Sequence, residues 1–101
     1  MQVRIIYGKL RQGTWDAYEE AYKKIMTASG QLPGLRARWL VRDVDDPDAG
    51  YSISLWDDEA AMRSYEQSTV LKDKILPQLT PFFSGEYKTT HCEMRLQEEF
   101  G

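Results

Sequence analysis

The chain predicts an α+β sandwich in which two helices cover one face of a four-stranded antiparallel sheet. Three observations carry this prediction. Four segments alternate apolar and polar residues with period two, two longer segments repeat apolar residues at helical spacing, and they follow one another as strand, helix, strand, strand, helix, strand. A length of 101 residues with 42% hydrophobic content suits one compact domain over residues 1–101 with a real core.

Each element has its own signal. In Gln2 to Leu10, Val3, Ile5 and Tyr7 alternate with Arg4, Ile6 and Gly8, a first strand whose second face also carries an apolar residue, as a central strand requires. After the Gln12-Gly13-Thr14 turn, with Thr14 as expected N-cap, Trp15, Tyr18, Tyr22, Ile25 and Met26 mark a first helix to Ser29, stopped by Gly30. Glu19 with Lys23 and Glu20 with Lys24 stand in the favoured order on its solvated face, worth about 0.3–0.5 kcal/mol each. Leu35 to Asp43 places Ala37, Trp39 and Val41 on one side and Arg36, Arg38, Leu40 and Arg42 on the other. The short loop from Val44 to Gly50 makes this strand a hairpin with the third, Tyr51 to Trp56, where Tyr51, Ile53 and Leu55 oppose Ser52, Ser54 and Trp56. Asp58 is the expected N-cap of a second helix from about Glu59 through Ser68, with Ala61, Met62 and Tyr65 at helical spacing. That helix should loosen near Ser68-Thr69 and resume through Val70, Leu71, Ile75 and Leu79, with Pro77 ending or kinking it near Ile75. The last strand is expected over Glu86 to Leu96, and the tail, residues 97–101, frays or docks on a partner subunit through Phe100. The order is that of a split βαβ, the ferredoxin-like βαββαβ sandwich.

Composition excludes several classes. Acidic residues, 16 against 13 basic, are interspersed with the basic ones for a net charge of −3, so no basic face for nucleic acid stands out. No run approaches the roughly 18 apolar residues of a membrane span, and a single cysteine, Cys92, suits a reducing compartment, so a cytoplasmic protein without nucleic-acid or membrane partners is expected. The acid-rich loop at Asp43, Asp45, Asp46 and Asp48 fails the EF-hand test. Counted from Asp43, its sixth position is Asp48 where glycine is needed and its twelfth is Ser54 where a bidentate glutamate is needed. No metal is expected. Large residues on both faces of every strand leave an apolar patch on the uncovered side of the sheet, which predicts a homodimer formed sheet to sheet.

Gly13 with Tyr18 five residues on, Leu32-Pro33-Gly34, Asp46-Pro47, Trp56-Asp57-Asp58-Glu59-Ala60, and Tyr65 followed by Ser68 together resemble the antibiotic biosynthesis monooxygenase-like, dimeric α+β barrel family over nearly the whole chain. The resemblance implies a homodimer of ferredoxin-like subunits, each with a small pocket between helices and sheet. Members of that family include cofactor-free monooxygenases on polyketide-like aromatics, haem-degrading enzymes and many proteins of no established activity. Trp56 stands where the quinone-forming branch has a pocket tryptophan. Ser52 and Met62 stand where that branch has an asparagine four residues before it and a tyrosine six after, so two of its three polar handles are changed. In the haem-degrading branch, Tyr65 replaces a helix tryptophan and Lys74 and Ile75 flank the position of the iron-ligating histidine; the one histidine here, His91, is on the last strand. No haem and no other cofactor is expected.

Cofactor-free oxygenation needs a base that acts near neutral pH and donors for a developing oxyanion. His91 is the candidate base and Trp56 the candidate pocket indole. Tyr22, Arg38, Ser52, Ser54, Met62 and Tyr65 are the candidate substrate-binding residues. The opposing reading makes His91 a strand residue, hydrogen-bonded or solvated, with no chemical role, and Trp56 plain core. Cys92 points away from His91 across the strand, which excludes a Cys-His pair. The expected function is a monooxygenase-like enzyme on a small aromatic or polyketide-like molecule. The competing readings are a non-enzymatic dimeric module for small-molecule binding or stress response, and an isomerase or decarboxylase on a small phenol or acid, since proton transfer needs fewer groups.

Overall fold

The computed structural model describes residues 1–85 and 87–101. Strands β1 (Gln2–Lys9), β2 (Leu35–Arg42), β3 (Ala49–Trp56) and β4 (Lys88–Glu93) form one antiparallel sheet in the order β2-β3-β1-β4. Helix α1 (Trp15–Ser29) follows β1, and α2 (Glu59–Glu66) follows β3. This is the ferredoxin-like α+β fold that the alternation of periods predicts. Glu86, the expected first residue of the last strand, lies outside the described residues, and β4 stops at Glu93, before the expected Leu96.

The register of β3 decides what each face carries. Ser52, Ser54 and Trp56 pair with Ile6, Arg4 and Gln2 of β1 and with Leu40, Arg38 and Leu35 of β2. This set faces the helices, since Ser52 bonds to Tyr22 of α1 and the Trp56 ring lies against Tyr65 of α2. The alternate set, Tyr51, Ile53 and Leu55 with Val3, Ile5 and Tyr7 and with Ala37, Trp39 and Val41, faces away. A bulge between Leu35 and Ala37 is essential to this arrangement. Simple alternation would put Leu35 and Arg38 on opposite faces; the extra residue, Arg36, lets both face the helices. Trp39 is left 48% exposed and Val41 40%, the consequence of a sheet with one covered face.

Two clusters fill the covered side. Leu10, Trp15, Tyr18, Tyr22, Ile25, Leu71, Ile75 and Leu79 form the larger, and Leu32, Trp56 and Met62 the smaller. Gly8 and Gly50 face each other across β1 and β3, and a Cβ on either would collide with the ring of Phe83 or of Trp15 respectively. The glycine pair therefore lets those two aromatic rings lie directly on the sheet.

Local capping partly follows the sequence. The Asp58 carboxylate accepts the Ala61 N–H at 2.8 Å, as expected of an N-cap. Thr14 does not cap α1; its hydroxyl donates back to the Arg11 carbonyl at 2.7 Å and stabilises the preceding turn instead. The helical piece before Pro77 ends at Ile75, where the sequence predicts an end or kink. The chain widens into a π-helical turn over Val70–Ile75 and restarts as α3 (Leu76–Leu79), with Pro77 in the first turn, where a missing N–H costs nothing. In the hairpin loop, Asp46 takes a salt bridge from Lys9 at 2.7 Å and Asp48 accepts the Gly13 N–H at 3.0 Å, so these acids tie the loop to its surroundings.

Candidate active site

A cavity lies between the helix-facing side of the sheet and the helices. β3 supplies Ser52, Ser54 and Trp56 to it, β1 supplies Arg4 and β2 supplies Arg38. Tyr22 reaches it from α1 and Tyr65 from α2. The π-helical turn and the segment after it close the far wall with Leu71, Ile75, Leu76, Leu79 and Phe83. Its free volume is about 40 Å³, room for about three water molecules.

The polar atoms of this wall are held in place from behind. The Trp56 side chain is fully buried, its indole N–H donates to Ser54 Oγ at 2.9 Å, and its ring lies 4.9 Å from that of Tyr65. The hydroxyls of Tyr22 and Ser52 are hydrogen-bonded at 2.8 Å. Arg4 is 7% exposed, with its guanidinium carbon 5.6 Å from the Tyr65 ring centroid and its Nε donating to Glu66 Oε2 at 2.8 Å. His91 Nε2 lies 2.7 Å from the same Glu66 oxygen.

Electrostatics sets what these groups can do. Burial pushes the phenols of Tyr18, Tyr22 and Tyr65 up; for Tyr22 the Ser52 hydrogen bond and the charges of Arg38 and Arg4 oppose it, and for Tyr65 the charges of Arg4 and Arg38 do. All three stay protonated at neutral pH and serve as donors rather than bases. Burial also pushes the Glu66 carboxyl up, but hydrogen bonds from Arg4 and His91 and their charges outweigh it, leaving Glu66 below its ordinary value.

The expected site residues divide. Trp56, Tyr22, Arg38, Ser52, Ser54 and Tyr65 converge on the cavity. Met62 does not: it is fully buried against Leu32 and Trp56 in the smaller cluster, outside the cavity lining. His91 does not reach the lining either; it sits on β4 opposite Arg4 and is engaged by Glu66. Among the described lining residues there is neither a carboxylate nor an imidazole. Sequence reasoning left out Arg4 as a site residue, although a charged residue sharing a strand face with Ile6 was a signal that this face meets something other than plain core. Glu66 carried no comparable signal.

Fold and site together define a ferredoxin-like α+β domain with an aromatic, arginine-bearing pocket between helices and sheet. Residues 1–74 match the family described as antibiotic biosynthesis monooxygenase, and the chain belongs to that family. Among solved structures it is similar to one named antibiotic biosynthesis monooxygenase, with a TM-score of 0.77, 18% identity and coverage of 95% of this chain and 100% of the other. It is also similar to a conserved protein from Methanosarcina mazei Go1, with a TM-score of 0.78, 14% identity and 94% of each chain covered. A Mycobacterium tuberculosis protein aligns with a TM-score of 0.76 and 13% identity over 98% of this chain and 100% of its own. At these identities the likeness is one of fold. No curated protein sequence matches the chain.

The Arg4–Glu66 pair makes stability depend on acid. Because folding lowers the Glu66 carboxyl below its ordinary 4.5, its contribution is complete above that pH and is lost as pH falls through the depressed value. Glu66→Gln should cost about 1–3 kcal/mol at pH 7 in urea unfolding. The gap to wild type should close as the pH is taken well below 4.5; a gap that stays constant to pH 2 would contradict the pairing.

Proposed function

We propose that the chain is a monooxygenase-like enzyme that oxidises a small electron-rich aromatic molecule in the cavity between helices and sheet, without a bound cofactor. The single observation that carries this reading is the convergence of two guanidinium groups and phenol donors on an aromatic wall. An electron-rich phenol or enol bound there would lose its proton more readily, because Arg38 and Arg4 favour the anion inside a water-poor site. Its carbanion form then bonds to dioxygen. The O–O bond breaks: in an anthrone the methylene carbon becomes a carbonyl and its two hydrogens leave with the second oxygen atom as water, and in a hydroquinone a ring C–H carbon takes one oxygen to give a hydroxyquinone while the second leaves as water. The substrate supplies all the electrons, so the balance closes without another reductant. In this reading His91 acts at a distance, as a positioning residue that holds Glu66 and through it Arg4, and the proton goes to solvent.

The cavity is narrow, at about 40 Å³, and in this reading the wall yields as the ring enters. The segment from Val70 to Phe82, built of a π-helical turn, one turn of α-helix and a 3₁₀ turn, is the wall best suited to move, because it has the least regular hydrogen bonding. The acting unit in this proposal is a homodimer joined through the bare sheet face, where Trp39, Val41 and Tyr51 are exposed, with Leu96 and Phe100 of the tail available to the partner.

Oxygen uptake against anthrones, hydroquinones and flavonols tests the chemistry. The reading expects stoichiometric oxygen consumption with one such substrate, and a fall of about 10²-fold in kcat for Arg38→Ala. No uptake across the panel, or unchanged kcat in the variant, would favour a binding module. Sedimentation equilibrium at micromolar concentration should give twice the 11.7 kDa chain mass, and Trp39→Glu should give the single mass; a wild-type monomer would contradict the dimer.

A further inference from the structure

The two arginines of the cavity differ in how their charge is spent. Arg4 gives its Nε to Glu66, and Glu66 is also claimed by His91 at 2.7 Å and by Arg63 at 3.5 Å. Arg38 has no ion-pair or hydrogen-bond partner among the described residues, although it is half-buried and its charge is felt by both Tyr22 and Tyr65. With no carboxylate among the described lining residues, the wall carries one positive charge more than its own side chains balance. A half-buried cation beside apolar and aromatic groups loses hydration, and an anion placed against it gains more than it would in water. A guanidinium also offers a planar fork that matches a carboxylate with two parallel hydrogen bonds.

We propose that the ligand of this cavity is an aromatic acid, ionised at neutral pH, whose carboxylate is held by Arg38 while its ring lies along Trp56 and Tyr65. This deepens the oxygenase reading and rests on it for the identity of the site, though charge recognition stands apart from turnover. The Tyr22 and Tyr65 hydroxyls, kept protonated by burial, add neutral donors beside the cation. Arg4, clamped by Glu66, shapes the ring's resting place without competing for the carboxylate. A neutral aromatic of the same shape would leave Arg38 desolvated and unmatched, so the site rejects it through the cost of the orphaned charge.

Benzoate and its neutral isostere benzamide separate these outcomes, titrated into the full chain and followed by amide and indole chemical shifts at pH 7. Benzoate should bind at least tenfold tighter than benzamide. Arg38→Gln should remove that preference by weakening benzoate and tightening benzamide, since no orphaned charge then opposes the neutral ligand, and Arg38→Lys should retain part of it, which separates charge from misfolding. Equal affinities in wild type, no benzoate binding at millimolar concentration, or an undiminished preference in Arg38→Gln would each overturn the proposal. Oxygen uptake is read independently. Turnover of neutral hydroquinones without a charge preference would sink the acid proposal and leave the oxygenase reading standing, whereas a charge preference with no turnover either of the neutral panel or of the acidic hydroquinone 2,5-dihydroxybenzoate would do the reverse.

Discussion

The register of β3 between β1 and β2 is the constraint on which the rest of the molecule depends. Strand side chains alternate, so a slip of one residue would turn Ser52, Ser54 and Trp56 away from the helices and bring Tyr51, Ile53 and Leu55 beneath them. The observed register is enforced from both sides. Trp56 is buried completely with Met62 and Leu32 around it, which at about 1.5–3 kcal/mol per buried large side chain outweighs any single hydrogen bond nearby. The Gly8 and Gly50 pair then admits the Phe83 and Trp15 rings at the other end of the same two strands. Slipping the register would fill that space with Cβ atoms and leave two rings without a seat.

The make-up of the candidate site follows from one local departure inside this frame. The bulge at the start of β2 turns Arg38 towards the helices while keeping Leu35 in the smaller cluster. A second charged residue is thereby delivered beside Arg4 to a wall whose lining is largely aromatic and apolar. The other polar atoms of the wall are braced: Tyr22 by Ser52, Trp56 by Ser54, and Arg4 by Glu66. Bracing of this kind keeps donors aimed without reorganisation, the property that makes a preorganised site effective. The wall opposite is the irregular segment after α2, built of a π-helical turn, a turn of α-helix and a 3₁₀ turn.

Most of the fold was legible because period-two and helical patterns are clean in this chain, and because Asp58 caps as its chemistry dictates. What escaped is instructive. The bulge has no composition signal at Leu35-Arg36-Ala37, so the direction of Arg38 relative to Leu35 could not be read from alternation. Met62 has the spacing of a residue beside Tyr65, yet it is drawn into the cluster with Leu32, a residue from the loop before β2 that no local pattern connects to α2. His91 lies on the last strand as expected, but its engagement depends on Glu66, 25 residues away in sequence and on a different element. Long-range polar pairing of this sort leaves no periodic trace. Pro77 shows the converse: the end of the piece at Ile75 was visible, while the widening of the turn before it into a π-helix was not.

The central claim is that the cavity bounded by Trp56 and Arg38, rather than the exposed sheet face, receives an aromatic ligand. The three tryptophans make this directly observable, since Trp56 borders the cavity, Trp15 lies in the larger cluster and Trp39 stands on the bare face. Titration of isotope-labelled protein with 2,5-dihydroxybenzoate, read at the indole and guanidinium N–H resonances, should move Trp56 and Arg38 together and leave Trp39 in place. Shifts confined to Trp39, or no movement of Trp56 and Arg38 at saturating concentration, would contradict the account.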